Sequence, residues 1–283
     1  MFKIGFIDYY LDEWHANKYP GFIKDCVGDE IKVAYAYGKI ASPKTGKTSA
    51  EWCAEMGVEL CDTIEELVEK SDGIVVLSPD NAEMKEELSQ VALKSGKPVF
   101  IDKTFTTDYA SGKRIFDLAD KNGTPTYTTS ALRYAPDYKE IDGNDITAIN
   151  CIGPNDFDIY SIHMLEPLMA IMRTDAERVM YTEAEGFYML NIAFVDGRVG
   201  SISGYMDKRF PYMISFAGKT VTKAVKAEQP FWPVFTEALR NFFRTKQPQV
   251  DHRESLAIMA IRTAGLEAMK KPGTWVEVEN KVF

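Results

Sequence analysis

Residues 73–78 read GIVVLS, a continuous β-branched run set between Ser71-Asp72 and Pro79-Asp80. So short a run with no polar alternation is buried on both faces, as in a parallel strand covered by helices. On its upstream side Thr63-Ile64-Glu65-Glu66 has the capping-box pattern that opens a helix. Downstream, Asp80 with Glu83 opens another, predicted to run to about Ser95 with Gly96 as its stop. Further strands are predicted at 3–8 (KIGFID), 31–37 (IKVAYAY), 58–61, 98–102 (PVFID) and 125–129. Helices are expected from about Asp12, where Pro20 should end or kink the chain, at 49–57, and from about Thr107 to Gly123. Strand and helix alternate throughout, so the first 130 residues form an α/β domain with a Rossmann-like parallel sheet and right-handed crossovers.

The second half has another rhythm. A strand near 145–152 and a helix near 156–172 precede adjacent strands at 176–184, 187–195, 198–205, 211–217 and 220–226. Asp196-Gly197 between two of them is a hairpin signal. Helices near 232–245 and 254–270 and a strand at 275–278 complete an α+β domain with a mainly antiparallel sheet. The expected division is 1–130 and 131–283, with the boundary between Ser130 and Pro136.

The chain has 283 residues, 45% of them hydrophobic, enough for two domains with real cores. A net charge of −9 argues against a general nucleic-acid binder, which needs a basic surface. No apolar run approaches the roughly 20 residues that cross a bilayer, and MFKIGFIDYY reads as a strand rather than a leader, so no membrane partner is expected. The four cysteines and three histidines are scattered, which predicts no metal site and reduced, mostly buried thiols in a cytoplasmic protein.

Two segments carry chemistry. GKPVFIDKT (96–104) ends a strand on Lys103, and a group there lies at the crevice where open α/β sheets bind ligands. In FDIYSIHMLEPLMAIM (157–172), Tyr160, His163 and Glu166 recur every third residue on one helix face. A hydroxyl, an imidazole and a carboxylate so placed can pass a proton and steer a substrate hydroxyl. The bland readings are an exposed strand-end lysine, a core histidine bonded to backbone, a glutamate that only holds that histidine, and a packed tyrosine.

These segments resemble the glucose-fructose oxidoreductase/inositol dehydrogenase (Gfo/Idh/MocA) family. GKPVFIDKT is similar to its "GKxVxxEKP" motif, with Asp102 for Glu and Thr104 for Pro. Ser78-Pro79 is similar to the family's Thr-Pro, where backbone passes the nicotinamide. Residues 160–166 resemble its helix with a catalytic histidine, and 235–261 its penultimate helix pair. The resemblance implies an NAD- or NADP-dependent oxidoreductase acting on a sugar-like or other hydroxylated small molecule. It implies His163 as the base, Lys103 polarising the substrate oxygen, Tyr160 or Glu166 orienting the pair, and Ser78, Pro79, Asp102 and Lys103 beside the cofactor. It also implies a homo-oligomer through the open face of the second sheet, with Phe187, Met189, Ile202 and Tyr205 on that surface.

The dinucleotide fingerprint GxGxxG is missing. The stretch after the first strand is IDYYLDEWHA, with Asp8 at the first glycine position and Tyr10 at the second. Each glycine there serves a tight turn, phosphate approach or helix packing. Tyr35-Ala36-Tyr37-Gly38-Lys39 lacks the ribose-binding acid, while Lys39, Lys44 and Lys47 could hold a 2′-phosphate or merely be a solvated loop. ASPKTGKT (41–48) is a loose P-loop pattern, read as coincidence or at most an anion site, because GIVVLS ends without a magnesium-holding Asp. The rival to the oxidoreductase is a cofactor-less family-fold binding or regulatory protein, which the absent glycines favour.

Overall fold

The computed structural model describes residues 1–283. The elements, in chain order, are β1 (Phe2–Asp8), α1 (Trp14–Val27), β2 (Ile31–Gly38), α2 (Ser49–Met56), β3 (Glu59–Leu60), α3 (Ile64–Lys70), β4 (Gly73–Val76), α4 (Lys85–Ser89), β5 (Val99–Asp102), α5 (Tyr109–Lys121) and β6 (Thr126–Thr129). There follow β7 (Ile146–Pro154), α6 (Phe157–Met172), β8 (Ala176–Ala184), β9 (Phe187–Phe194), β10 (Val199–Tyr205), β11 (Met213–Gly218), β12 (Thr222–Lys226), α7 (Trp232–Thr245), α8 (His252–Met269) and β13 (Trp275–Glu277). Two compact units emerge: Met1–Thr129 with Phe235–Asp251, and Ser130–Val234 with His252–Phe283.

The first unit holds a six-stranded parallel sheet of order β3-β2-β1-β4-β5-β6. Its central strands are sealed on both faces, as the GIVV run required: every residue of β4 is buried. The α7 part of this unit packs Phe235 against Phe100 and Tyr19, ring centres 5.8 Å apart in each pair, and Phe242 on Tyr127 at 4.7 Å.

Two expectations change here. Helix α1 runs straight through Pro20, whose cost is one missing N–H bond, because Ala16, Tyr19 and Ile23 on either side are buried. The helix expected from Asp80 to Ser95 breaks into α4 between two 3₁₀ turns, Ala82–Met84 and Ala92–Lys94. Its amides there bond three residues back, as Met84 N–H to Asn81 O and Lys94 N–H to Val91 O.

The second unit holds a seven-stranded sheet of order β12-β11-β7-β10-β9-β8-β13. It is mixed, since β7 and β10 run parallel while the other pairs are antiparallel. Strand β9 alternates strictly, with Tyr188, Leu190, Ile192 and Phe194 buried. Asp196-Gly197 makes the β9–β10 turn, where Gly197 takes φ +84°. Ile202 lies opposite Leu190 and is fully buried, so it belongs to the core face and not to the open surface expected of it. Phe187, Met189 and Tyr205 do line the more exposed face. No helix is long and apolar enough to cross a membrane. Cys53, Cys61 and Cys151 are buried thiols and Cys26 is exposed.

Candidate functional site

The first unit gathers ionisable side chains at the carboxyl ends of β1, β4 and β5 and in the first turn of α1. Asp8 ends β1, and its Oδ1 accepts from the Ser78 N–H and hydroxyl, both at 3.0 Å. Ser78 holds φ +53° after β4, and its hydroxyl oxygen accepts from the Tyr9 N–H at 2.9 Å. Burial pushes the Asp8 carboxyl up to about 7, against the pull of the Ser78 bonds.

Asp102 ends β5 as a fully buried carboxylate. The Tyr19 hydroxyl donates to it at 2.9 Å, and His15 Nδ1 touches its other oxygen. Burial would raise the Asp102 carboxyl, but His15, Lys85 and Lys103 together hold it below the usual range. Lys85 has no exposed surface, and its ammonium donates to the carbonyls of Asp102 and Thr104, the latter at 2.7 Å. Burial pulls that amine down to about 7. Lys103 is itself only 8% exposed and precedes a cis peptide to Thr104.

Spacing puts Glu13 at the third glycine position of the fingerprint, three residues after Tyr10. Its carboxylate caps α1, accepting from the N–H groups of His15 at 2.7 Å and Ala16. A helix N-terminus of this kind is where Rossmann proteins seat a pyrophosphate. Burial, aided by Asp8, raises the Glu13 carboxyl well above its ordinary range. Tyr10 is 4% exposed and its hydroxyl donates to Asp80 at 3.3 Å. All three glycine positions therefore hold buried side chains, two of them acidic. A pyrophosphate does not fit this seat.

The loop lysines are engaged as well. Lys39 pairs with Glu87, Lys44 with Asp80 at 2.6 Å and Lys47 with Glu55 at 2.8 Å, so a 2′-phosphate would have to break an ion pair at each. In 41–48 the Ser42 and Gly46 amides bond the Lys47 and Ser42 carbonyls, both at 2.8 Å, which closes a turn rather than a phosphate cradle.

In the second unit Ser130 caps a 3₁₀ turn (Ala131–Tyr134), and its hydroxyl lies 2.7 Å from His163 Nδ1. The imidazole sits edge-on to Tyr160 and Tyr212, ring centres 5.3 and 5.9 Å away. Glu166, one turn on, lies beside the guanidinium of Arg133 at 3.4 Å, which also contacts Glu254. Sequence spacing thus brought Tyr160 to His163 but missed Ser130, Tyr212, Glu13, His15, Tyr19 and Lys85. His15 and Tyr19, four apart on α1, were the one legible hint among these.

Comparison with known proteins adds three findings. The family described as "Oxidoreductase family, NAD-binding Rossmann fold" matches residues 35–129, a span that starts beyond β1 and α1. Sequence comparison with curated proteins returns no match. Among solved structures, the apo scyllo-inositol dehydrogenase from Lactobacillus casei is similar at TM-score 0.79 and 14% identity, covering 99% of this chain and 98% of that one. The myo-inositol 2-dehydrogenase from Lactobacillus plantarum gives TM-score 0.77 at 13% identity, covering 98% and 99%. The WlbA dehydrogenase from Bordetella pertussis, solved with NADH and UDP-GlcNAcA, gives 0.73 at 15%, covering 97% and 98%. At these identities the likeness is one of fold.

Proposed function

We propose that the chain, whose residues 35–129 match the family described as "Oxidoreductase family, NAD-binding Rossmann fold", is a Gfo/Idh/MocA-type protein that acts on a sugar-like or other hydroxylated small molecule, His163 taking or returning a hydroxyl proton. The observation that carries this is the Ser130 hydroxyl on His163 Nδ1 at 2.7 Å. A partner on one ring nitrogen fixes which nitrogen meets the substrate. The edges of Tyr160 and Tyr212 limit how the ring can turn.

A second reading, a family-fold protein that binds its ligand without a dinucleotide, is favoured by Glu13, Asp8 and Tyr10 at the fingerprint positions. Calorimetric titration separates the two. Myo-inositol, D-glucose and UDP-glucose should include a saturable ligand, and His163→Ala should weaken it about tenfold, worth ~1.4 kcal/mol, with unchanged circular dichroism. Equal affinity in that variant would remove His163 from the site. NADH and NADPH are expected to give no saturable heat up to about 1 mM under the second reading, whereas micromolar binding of either restores the dehydrogenase.

We also propose a homo-oligomer through the open face of the second sheet. Phe187 and Tyr205 pair across β9–β10 there, and Val199 is half exposed. Sedimentation at micromolar concentration should give a dimer or larger, and Met189→Glu should shift it to monomer. A wild-type monomer would end this proposal.

A further inference from the structure

The second unit carries a cavity that the proposed chemistry at His163 does not use. It measures about 1140 Å³, room for a small molecule, and is lined by the last turns of α6 and by residues of the 133–147 stretch. Every lining residue falls between Arg133 and Val234, so the second unit forms it alone. Gly143 shapes one wall: a Cβ there would strike the Ile171 carbonyl, so glycine is what lets the loop close on α6. Pro167, Ala170, Ile171 and Ile146 supply apolar lining. Five cations line the same space, Arg133, Lys139, Arg173, Arg198 and Lys219, against one carboxylate, Asp196, in a chain of net charge −9. A concavity lined by one sign of charge concentrates small ions of the other.

Packing accounts for two of the five. Arg133 lies against Glu166 and Glu254, and Arg198 against Asp196 and the carbonyls of Gly143, at 3.1 Å, and Met172, at 2.5 Å. The other three have no carboxylate partner: the Lys219 ammonium meets only the Asn144 carbonyl, at 3.3 Å, and the Lys139 and Arg173 side chains meet no protein group. Asp145, beside Asn144, spends its carboxylate on the Thr220 and Val221 amides. Arg173 also caps α6 at φ +46°, a left-handed conformation that glycine takes at least cost. The bland use of a cation there is to face the helix's last carbonyls. Arg198 already holds Met172 O, and the Arg173 amide holds Met169 O. We propose that this cavity binds a small organic polyanion, with Arg173, Lys139 and Lys219 meeting its phosphate or carboxylate groups and the apolar lining holding its body. Two or more negative charges are needed to balance three such cations, and a neutral polyol balances none.

Calorimetry of the full chain at low salt tests this, with citrate, inorganic pyrophosphate and fructose 1,6-bisphosphate as probes. At least one should bind saturably below about 1 mM, and more weakly as salt rises. Citrate against the two phosphate compounds decides which anionic group the cavity takes. Arg173→Gly should weaken the bound probe about tenfold while leaving the thermal midpoint unchanged or higher, because glycine suits the left-handed cap. An arginine with only a structural role would move the midpoint and not the affinity. Lys139→Ala should weaken the probe severalfold, and His163→Ala should leave it bound as before, which keeps this site separate from the proposed function. Equal affinity in wild type and in the Arg173→Gly/Lys139→Ala double variant would overturn the inference. So would no saturable heat with any of the three probes, or binding lost in His163→Ala.

Discussion

Arg133→Ala is expected to destabilise the protein by about 3–5 kcal/mol, read from the urea midpoint. Glu166 of α6 and Glu254 of α8 are 2% and 4% exposed, and the Arg133 guanidinium lies against both. Removing the cation leaves two buried carboxylates without the charge that Arg133 supplied to both. Their desolvation then weighs against the packing between α6 and α8. The triple change Arg133→Met/Glu166→Leu/Glu254→Leu should recover most of the stability, since apolar groups of similar volume carry no desolvation penalty. A loss below about 1 kcal/mol for Arg133→Ala would mean that the pair is effectively solvated. The same experiment bears on Glu166, which lies beside Arg133.

Asp8→Asn is expected to stabilise the protein at alkaline pH, by about 2–4 kcal/mol at pH 8, and to change little at pH 4. The sign follows from the carboxyl's two environments. In the unfolded chain it titrates near 3.8, and burial pushes it up to about 7 in the fold. Between those values the folded state keeps a proton that the unfolded state has released, so stability falls as pH rises. Above about 7 the buried carboxylate is charged and the whole deficit is present. Asparagine keeps an oxygen for the Ser78 N–H and hydroxyl without that charge. Thermal unfolding across pH 4–9 measures the difference, and equal shifts at both ends would sink the account. Lys85 works the other way: burial pulls its amine down to about 7 from 10.5, so its share of stability is recovered as pH rises past 7.

A stable scaffold would not keep these costs without a use for them. Asp8 and Lys85 sit at the carboxyl edge of the sheet, whose central strands β4 and β5 are buried along their whole length. That contrast supports reading the edge as the working part of the first unit.

Local pattern alone determined the architecture. GIVVLS, PVFID and KIGFID have no polar face, so they had to be parallel strands under helices, and the alternation in 187–194 had to be a half-covered strand. The lysine after β5 and the Tyr160–His163 pair were equally legible, because strand ends and helix faces follow from residue spacing. Tertiary structure decided the rest, through contacts that link distant residues. Ile202 went to the core because its register with Leu190 put it there. Ser130 reached His163 across 33 positions, and Asp102 reached Tyr19 across 83. The absence of glycine at the fingerprint was plain from residues 8–13. That Glu13 would turn its carboxylate onto the α1 amides was not, since a capping bond depends on where the helix starts, and burial made that bond more than a surface ornament.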